Sequence, residues 1–162
     1  MLPFVVSALI YPHSTTLFDQ VYSGRPPSAT TILPLYLAHP TPRPSLIHIP
    51  TTNPPLLLFS IVQDRLLFLC STSTETEPLL VIEFLHRVAD ALEDFLGSPL
   101  LATKIEANYD IVAQILGEMC DAGLVSNTEN NALREVVDAP SWVDNWFGGF
   151  SMPVYVITRI KG

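Results

Sequence analysis

Hydrophobic and polar positions change their period partway along the chain. Up to Ser71 the apolar residues come in short runs broken by turn signals. Phe4–Ile10 ends at Tyr11-Pro12-His13-Ser14, and Thr15–Tyr22 can pair back before Ser23-Gly24-Arg25-Pro26-Pro27 closes it. Leu46–Ile49 is a short run bounded by proline. Leu56–Gln63 and Leu66–Ser71 flank Asp64-Arg65 and predict a tight antiparallel hairpin, although Asp-Arg is not the favoured Asn-Gly turn chemistry. These runs hardly alternate, which predicts a sheet covered on both faces.

From Pro78 the period becomes helical. Val81, Leu85, Val88, Leu92 and Phe95 recur at alternating spacings of four and three, with Glu83, Arg87, Asp90 and Asp94 opposite. Pro78 suits a first turn, Glu77 sits at the positive end of the helix dipole, and Gly97 stops the element near residue 96. A second helix is predicted over Lys104–Asp121, with Ile105, Tyr109, Val112, Leu116 and Met119 as its stripe, widened by Ile111 and Ile115, and Gly123 ending it. Ser126-Asn127-Thr128-Glu129 reads as a capping box for a third, short helix ending before Pro140. Ser28 can cap a short helix toward Ala38, where Pro34 is awkward because it removes an interior hydrogen bond. Strands precede helices, so the class is α+β. The predicted contact between helices and sheet runs through Val81, Leu85, Val88, Leu92, Val112, Leu116 and Met119, all on one face.

Composition narrows the function classes. Eleven of the fifteen prolines lie in residues 1–55, so they punctuate loops in one half and do not make the whole chain disordered. Pro40-Thr41-Pro42-Arg43-Pro44 reads as a stiff surface connection, too short to present an extended groove ligand. Net charge is −8, and residues 75–144 hold fourteen acids against Arg87, Lys104 and Arg134. That balance argues against a nucleic-acid surface or an anionic-membrane surface, both of which need clustered cations. Leu2–Tyr11 and Pro54–Val62 are the longest apolar runs, well short of the roughly 20 residues of a spanning helix. Leu2–Tyr11 has no cationic start and reads as a buried strand, not a secretory signal.

Candidate chemistry is sparse. There is no Walker or dinucleotide loop. His13, His39, His48 and His86 are scattered, and Cys70 and Cys120 show neither metal spacing nor a disulfide framework. His86 with Glu83 could form a base or half a metal site, but Glu83–Arg87 is better read as an i,i+4 pair on a solvated face. Asp90, Glu93 and Asp94 read as a solubilising cluster, and Cys120, near a helix end, as a structural thiol. We therefore expect no catalytic residue, cofactor or metal. Trp142, Trp146, Phe147 and Phe150 in the tail are costly to expose, and either close over the core or await a partner.

Two segments carry a family resemblance. Pro78-Leu79-Leu80-Val81-Ile82-Glu83-Phe84-Leu85-His86-Arg87-Val88-Ala89-Asp90, together with residues 108–123 ending in Glu118-Met119-Cys120-Asp121-Ala122-Gly123, resembles the N-terminal longin-like domain of clathrin-adaptor medium (mu) subunits. The wording is nearest to the mu subunit of adaptor complex three. The resemblance covers residues 15–138 and is strongest over 78–137. It implies a longin-like (SNARE-like) fold, with a five-stranded antiparallel sheet flanked by helices, over residues 1–138, and a linker or tail over 139–162. It also implies a non-catalytic subunit that packs on the large beta subunit, in one complex with delta and sigma subunits. Such a complex is recruited by an Arf-type GTPase to Golgi and endosomal membranes for sorting to lysosome or vacuole. Medium subunits continue into a C-terminal domain that reads tyrosine-based signals. No such domain is expected within these 162 residues, so the chain is read as a truncated medium subunit or a natural short form that binds no such signal by itself. A sigma subunit and a longin-type GTPase regulator or tether component are the alternatives. A small-molecule-binding enzyme lacks convergent polar residues at readable spacing.

Overall fold

The computed structural model describes residues 4–10, 15–22 and 25–137. Strands β1 (Phe4–Ile10) and β2 (Thr15–Val21) pair antiparallel, with a bulge between Ala8 and Leu9. Helix α1 (Ala29–Ala38) follows, then β3 (Leu46–Ile49), β4 (Leu56–Gln63) and β5 (Leu66–Thr72). The strands form one antiparallel sheet in the order β2-β1-β5-β4-β3. β5 is central and buried throughout, as its apolar run Leu66–Cys70 requires, with Ser71 and Thr72 buried after it. Leu66, Phe68 and Cys70 enter the larger core, whereas Leu67 and Leu69 enter the smaller.

Asp64 and Arg65 both take positive φ, 51° and 67°, so β4 and β5 close through a two-residue turn whose twist matches the strands. Asp is one of the few residues besides glycine that visit this region. Here the Asp64 carboxylate accepts the Leu100 N–H at 2.9 Å, tying the hairpin to the chain beyond the next helix.

The two faces of the sheet are covered unequally. Against one face, α1 packs Ile32, Leu33 and Tyr36 onto Ile47, Ile49, Leu56, Leu58, Leu67 and Leu69. Pro34 lies inside α1 without ending it, and is exposed, so the bond it removes is on the solvent side. Arg43 completes the helix end. Its guanidinium donates to the carbonyls of Tyr36 (3.0 Å) and Leu37 (2.8 Å) and lies 5.3 Å from the Tyr36 ring centre. A cation at the last carbonyls of a helix is favourable at the negative end of the dipole. The proline-rich connection thus brings Arg43 back onto α1.

On the opposite face lie α2 (Pro78–Leu96), α3 (Ala102–Ala107), α4 (Tyr109–Met119) and α5 (Asn130–Val136). Val81, Leu85, Val88, Leu92, Val112, Leu116 and Met119 are all buried in the larger core with Phe18, Phe59 and Phe68. α2 begins at Pro78 and is capped at Gly97, whose φ of 87° is open to a residue without a Cβ. The Lys104 ammonium donates to the Gly97 and Pro99 carbonyls at 2.6 and 2.9 Å.

Three helical expectations are corrected. The helix predicted over 104–121 is two helices, α3 and α4, broken at Asn108. Asn108 has φ −127° and ψ 41°, and its amide donates to the Lys104 carbonyl at 2.8 Å. The Lys104 carbonyl also accepts the Asn108 backbone N–H at 3.2 Å, so the side chain adds a second bond where α3 ends. Tyr109 accordingly leaves the predicted buried stripe. It is half exposed and lays its ring 5.0 Å from that of Phe18.

The end of α4 also differs. The chain leaves the helix at Cys120 and forms a two-stranded hairpin, β6 (Cys120–Asp121) and β7 (Leu124–Val125). Ala122 and Gly123, at φ 46° and 86°, make its turn, so Gly123 closes a hairpin and not a helix. Finally, the predicted capping box does not form. The Ser126 N–H donates to the Met119 carbonyl at 2.9 Å, which holds that segment against the hairpin, and α5 starts only after Glu129 without a side-chain cap.

Candidate docking surface

The titratable residues singled out in the sequence are not brought together. His39 follows α1, His48 lies on β3 and His86 is exposed on α2, while His13 lies outside the described residues. Glu83 pairs with Arg87 at 2.9 Å, as the i,i+4 spacing requires, and both are exposed. Asp90, Glu93 and Asp94 line a shallow open depression with Gly97 and Ser98. Two of these acids have protein partners: Glu93 accepts from Gln63 at 2.9 Å, and Asp94 pairs with Arg134 at 2.8 Å. Arg134 also stacks 5.1 Å over the Phe95 ring, which ties α5 to the end of α2. Among the described residues no group of three or more His, Cys, Asp or Glu could hold a metal ion.

Both thiols are free and buried. Burial pushes the Cys120 thiol up to about 11, and burial with the nearby Cys120 raises Cys70 as well. A nucleophilic cysteine needs the opposite shift, so neither is poised to react at neutral pH. Tyr22 lies near both, its phenol likewise raised by burial. Its hydroxyl donates to the Leu116 carbonyl at 2.9 Å, and its ring stands edge-on to Phe84 at 6.3 Å.

Those contacts orient the helical layer. Tyr22 at the end of β2 meets Phe84, early in α2, and Leu116, late in α4. Glu93, late in α2, meets Gln63 at the far end of β4. Hence α2 and α4 run antiparallel, and the start of α2 lies at the same end of the domain as the β6–β7 hairpin. Leu80 stands one turn before Phe84 on the same helix face. Val125 is the cross-strand partner of Cys120, one turn beyond Leu116. At this end Leu79, Leu80, Leu124 and Val125 are 76, 48, 63 and 38% exposed. Glu75, Glu77, Glu118 and Asp121 are exposed around them.

The helical periodicity missed this surface. The available signal was the run Leu79-Leu80-Val81-Ile82, four consecutive apolar residues that no single helical stripe can bury. Leu124-Val125 gave a weaker one, because two residues are too few to show a period. Trp142, Trp146, Phe147 and Phe150 lie outside the described residues. No described helix is long and apolar enough to cross a membrane.

No protein-family model matches the chain. It is similar to the protein named AP-3 complex subunit mu-1 of Gallus gallus, at 43% identity over 93 residues, which is 57% of this chain and 22% of that protein. The Arabidopsis thaliana AP-3 complex subunit mu is 42% identical over 91 residues, 56% of this chain and 22% of that protein. The Homo sapiens AP-3 complex subunit mu-2 is 38% identical over 87 residues, 52% of this chain and 20% of that protein. The chain thus spans about a fifth of the length of these relatives, and the resemblance to the mu subunit of adaptor complex three holds in animals and in a plant.

Proposed function

We propose that this chain is a non-catalytic subunit of a heterotetrameric vesicle-coat adaptor, and that residues 1–138 are a longin-like domain that docks on the large beta subunit. The observation that carries this reading is the 43% identity to an AP-3 mu subunit over 57% of the chain. The sheet, backed by one helix on one face and four on the other, is consistent with a longin-like arrangement. Residues 139–162 serve as linker or tail. Delta and sigma subunits share the complex, and an Arf-type GTPase acts through it. The chain works peripherally on Golgi or endosomal membranes in sorting to lysosome or vacuole. The matched relatives are named mu subunits, and this favours mu over sigma. A regulator role would require a GTPase as direct partner, whereas the three relatives described above are named as adaptor subunits.

Residues 1–162 do not by themselves read tyrosine-based signals. Reading an extended peptide takes an open strand edge and two side-chain pockets. Of the sheet's two edge strands, β2 and β3, β3 has only four residues, bracketed by Pro44, Pro50, Pro54 and Pro55. Co-expression with the AP-3 beta subunit, followed by size-exclusion chromatography, tests the docking. A stable stoichiometric complex is expected. A chain that stays monomeric beside a folded beta subunit overturns the assignment. Tyrosine-dependent saturable binding of a signal peptide to the purified chain would show that recognition lies within these residues.

A further inference from the structure

We propose that the apolar end formed by Leu79, Leu80, Leu124 and Val125 anchors the docking interface, and that it takes a face of the large subunit whose apolar side chains are flanked by lysine and arginine. The inference rests on the docking reading above and adds the surface and the chemistry of its partner.

Exposure marks the place. Leu79 and Leu124, the two most exposed large apolar side chains among the described residues, lie at the same end of the helical layer. The elements that carry them are well held. Leu80 belongs to a helix whose next turn packs Phe84 against Tyr22. Leu124 follows a two-residue turn with both φ positive, and Ser126 and Asn127 donate to the Met119 and Glu118 carbonyls. An apolar group held on a pre-ordered element loses little freedom when it is covered.

Charge selects the occupant. Glu75, Glu77, Glu118 and Asp121 are exposed around the patch. Over residues 75–125 the cations are Arg87 and Lys104. Arg87 is bonded to Glu83, and Lys104 holds the carbonyls at the opposite end of α2. An apolar centre with an anionic rim favours a partner with the complementary pattern, and disfavours an anionic membrane or an acidic protein face.

The test uses the full chain co-expressed with the AP-3 beta subunit. Leu80→Asp with Leu124→Asp should weaken the complex by about tenfold or more, as loss of central anchors does. Leu101→Asp, at the opposite end and 46% exposed, should leave it unchanged. Circular-dichroism melting shows whether each variant is folded. A second set, Glu77→Lys with Asp121→Lys, touches no core residue. It should weaken binding and flatten the fall in affinity with rising salt. If the wild type binds and both sets bind equally well, the surface is wrong while the docking reading stands. If the leucine pair matters and charge reversal does not, the cationic partner is wrong. If the wild type fails to bind, the reading and this inference fall together. If the free chain self-associates and Leu124→Asp abolishes that, the occupant is a second copy and the proposal is overturned.

Discussion

The hydroxyl of Tyr22 donates to the backbone carbonyl of Leu116 across 94 positions of sequence, at 2.9 Å. The bond fastens the last residue before the β2–α1 connection to the final turn of α4. The Leu116 carbonyl already accepts the Cys120 N–H at the helix end, so Tyr22 supplies its second partner. Tyr22→Phe keeps the ring against Phe84 and removes the hydroxyl's bond to the Leu116 carbonyl. It should cost about 0.5–1.5 kcal/mol in urea unfolding, with the slope of the transition unchanged. A loss above that range would mean that the ring also moved.

Burial along α2 makes a paired prediction. Leu85 is fully buried in the larger core, whereas Leu79, two turns earlier, is mostly exposed. Leu85→Ala should cost about 2–5 kcal/mol through lost transfer energy and a residual cavity. Leu79→Ala should change stability by no more than about 0.5 kcal/mol. Equal effects in denaturant melts would contradict the packing described for this helix.

The Asp64-Arg65 turn can be improved. Arg65 is exposed and held at φ 67°, where a side chain is strained and glycine is not. Arg65→Gly should raise stability by about 0.5–1 kcal/mol, since it supplies the Asp-Gly pair that such turns favour. Asp64→Ala should do the reverse, at about 1–2 kcal/mol, by leaving the Leu100 N–H without its acceptor and keeping the positive φ. Thermal melting of the two variants should bracket the parent.

The thiols give a pH dependence. Burial raises the Cys120 pKa from 9.0 to about 11, and raises Cys70 too. The folded state therefore holds its thiol protons more tightly than the unfolded state. The stabilisation from this source is complete below pH 9.0 and declines as pH rises toward about 11. Native protein at pH 8 should react slowly with a thiol reagent, and denatured protein should react at two sites. Rapid modification of the native chain would place a thiol at the surface.

The sequence by itself determined the local elements and their faces. The stripe Val81-Leu85-Val88-Leu92 has one solution, a helix with one side buried, because 3.6-residue periodicity is a property of the backbone. Gly97 and Pro78 bounded it for equally local reasons. Runs such as Leu66–Cys70, apolar at every position, required cover on both faces, and cover is found there. Only the tertiary structure decided the rest. Whether residues 104–121 make one helix or two turned on the backbone at Asn108, which leaves the helical region while its side chain adds a second bond to the Lys104 carbonyl, an energy too small for any pattern to display. The capping box lost to a hairpin extension because Ser126 had the Met119 carbonyl within reach. The apolar end was hidden for the same reason: Leu79-Leu80 and Leu124-Val125 lie more than forty positions apart, and the antiparallel packing of α2 on α4 is what brings them to one end. Periodicity reports which side of an element is apolar. Which of those sides goes uncovered depends on how many neighbours the fold can supply, and that is decided by packing over the whole domain.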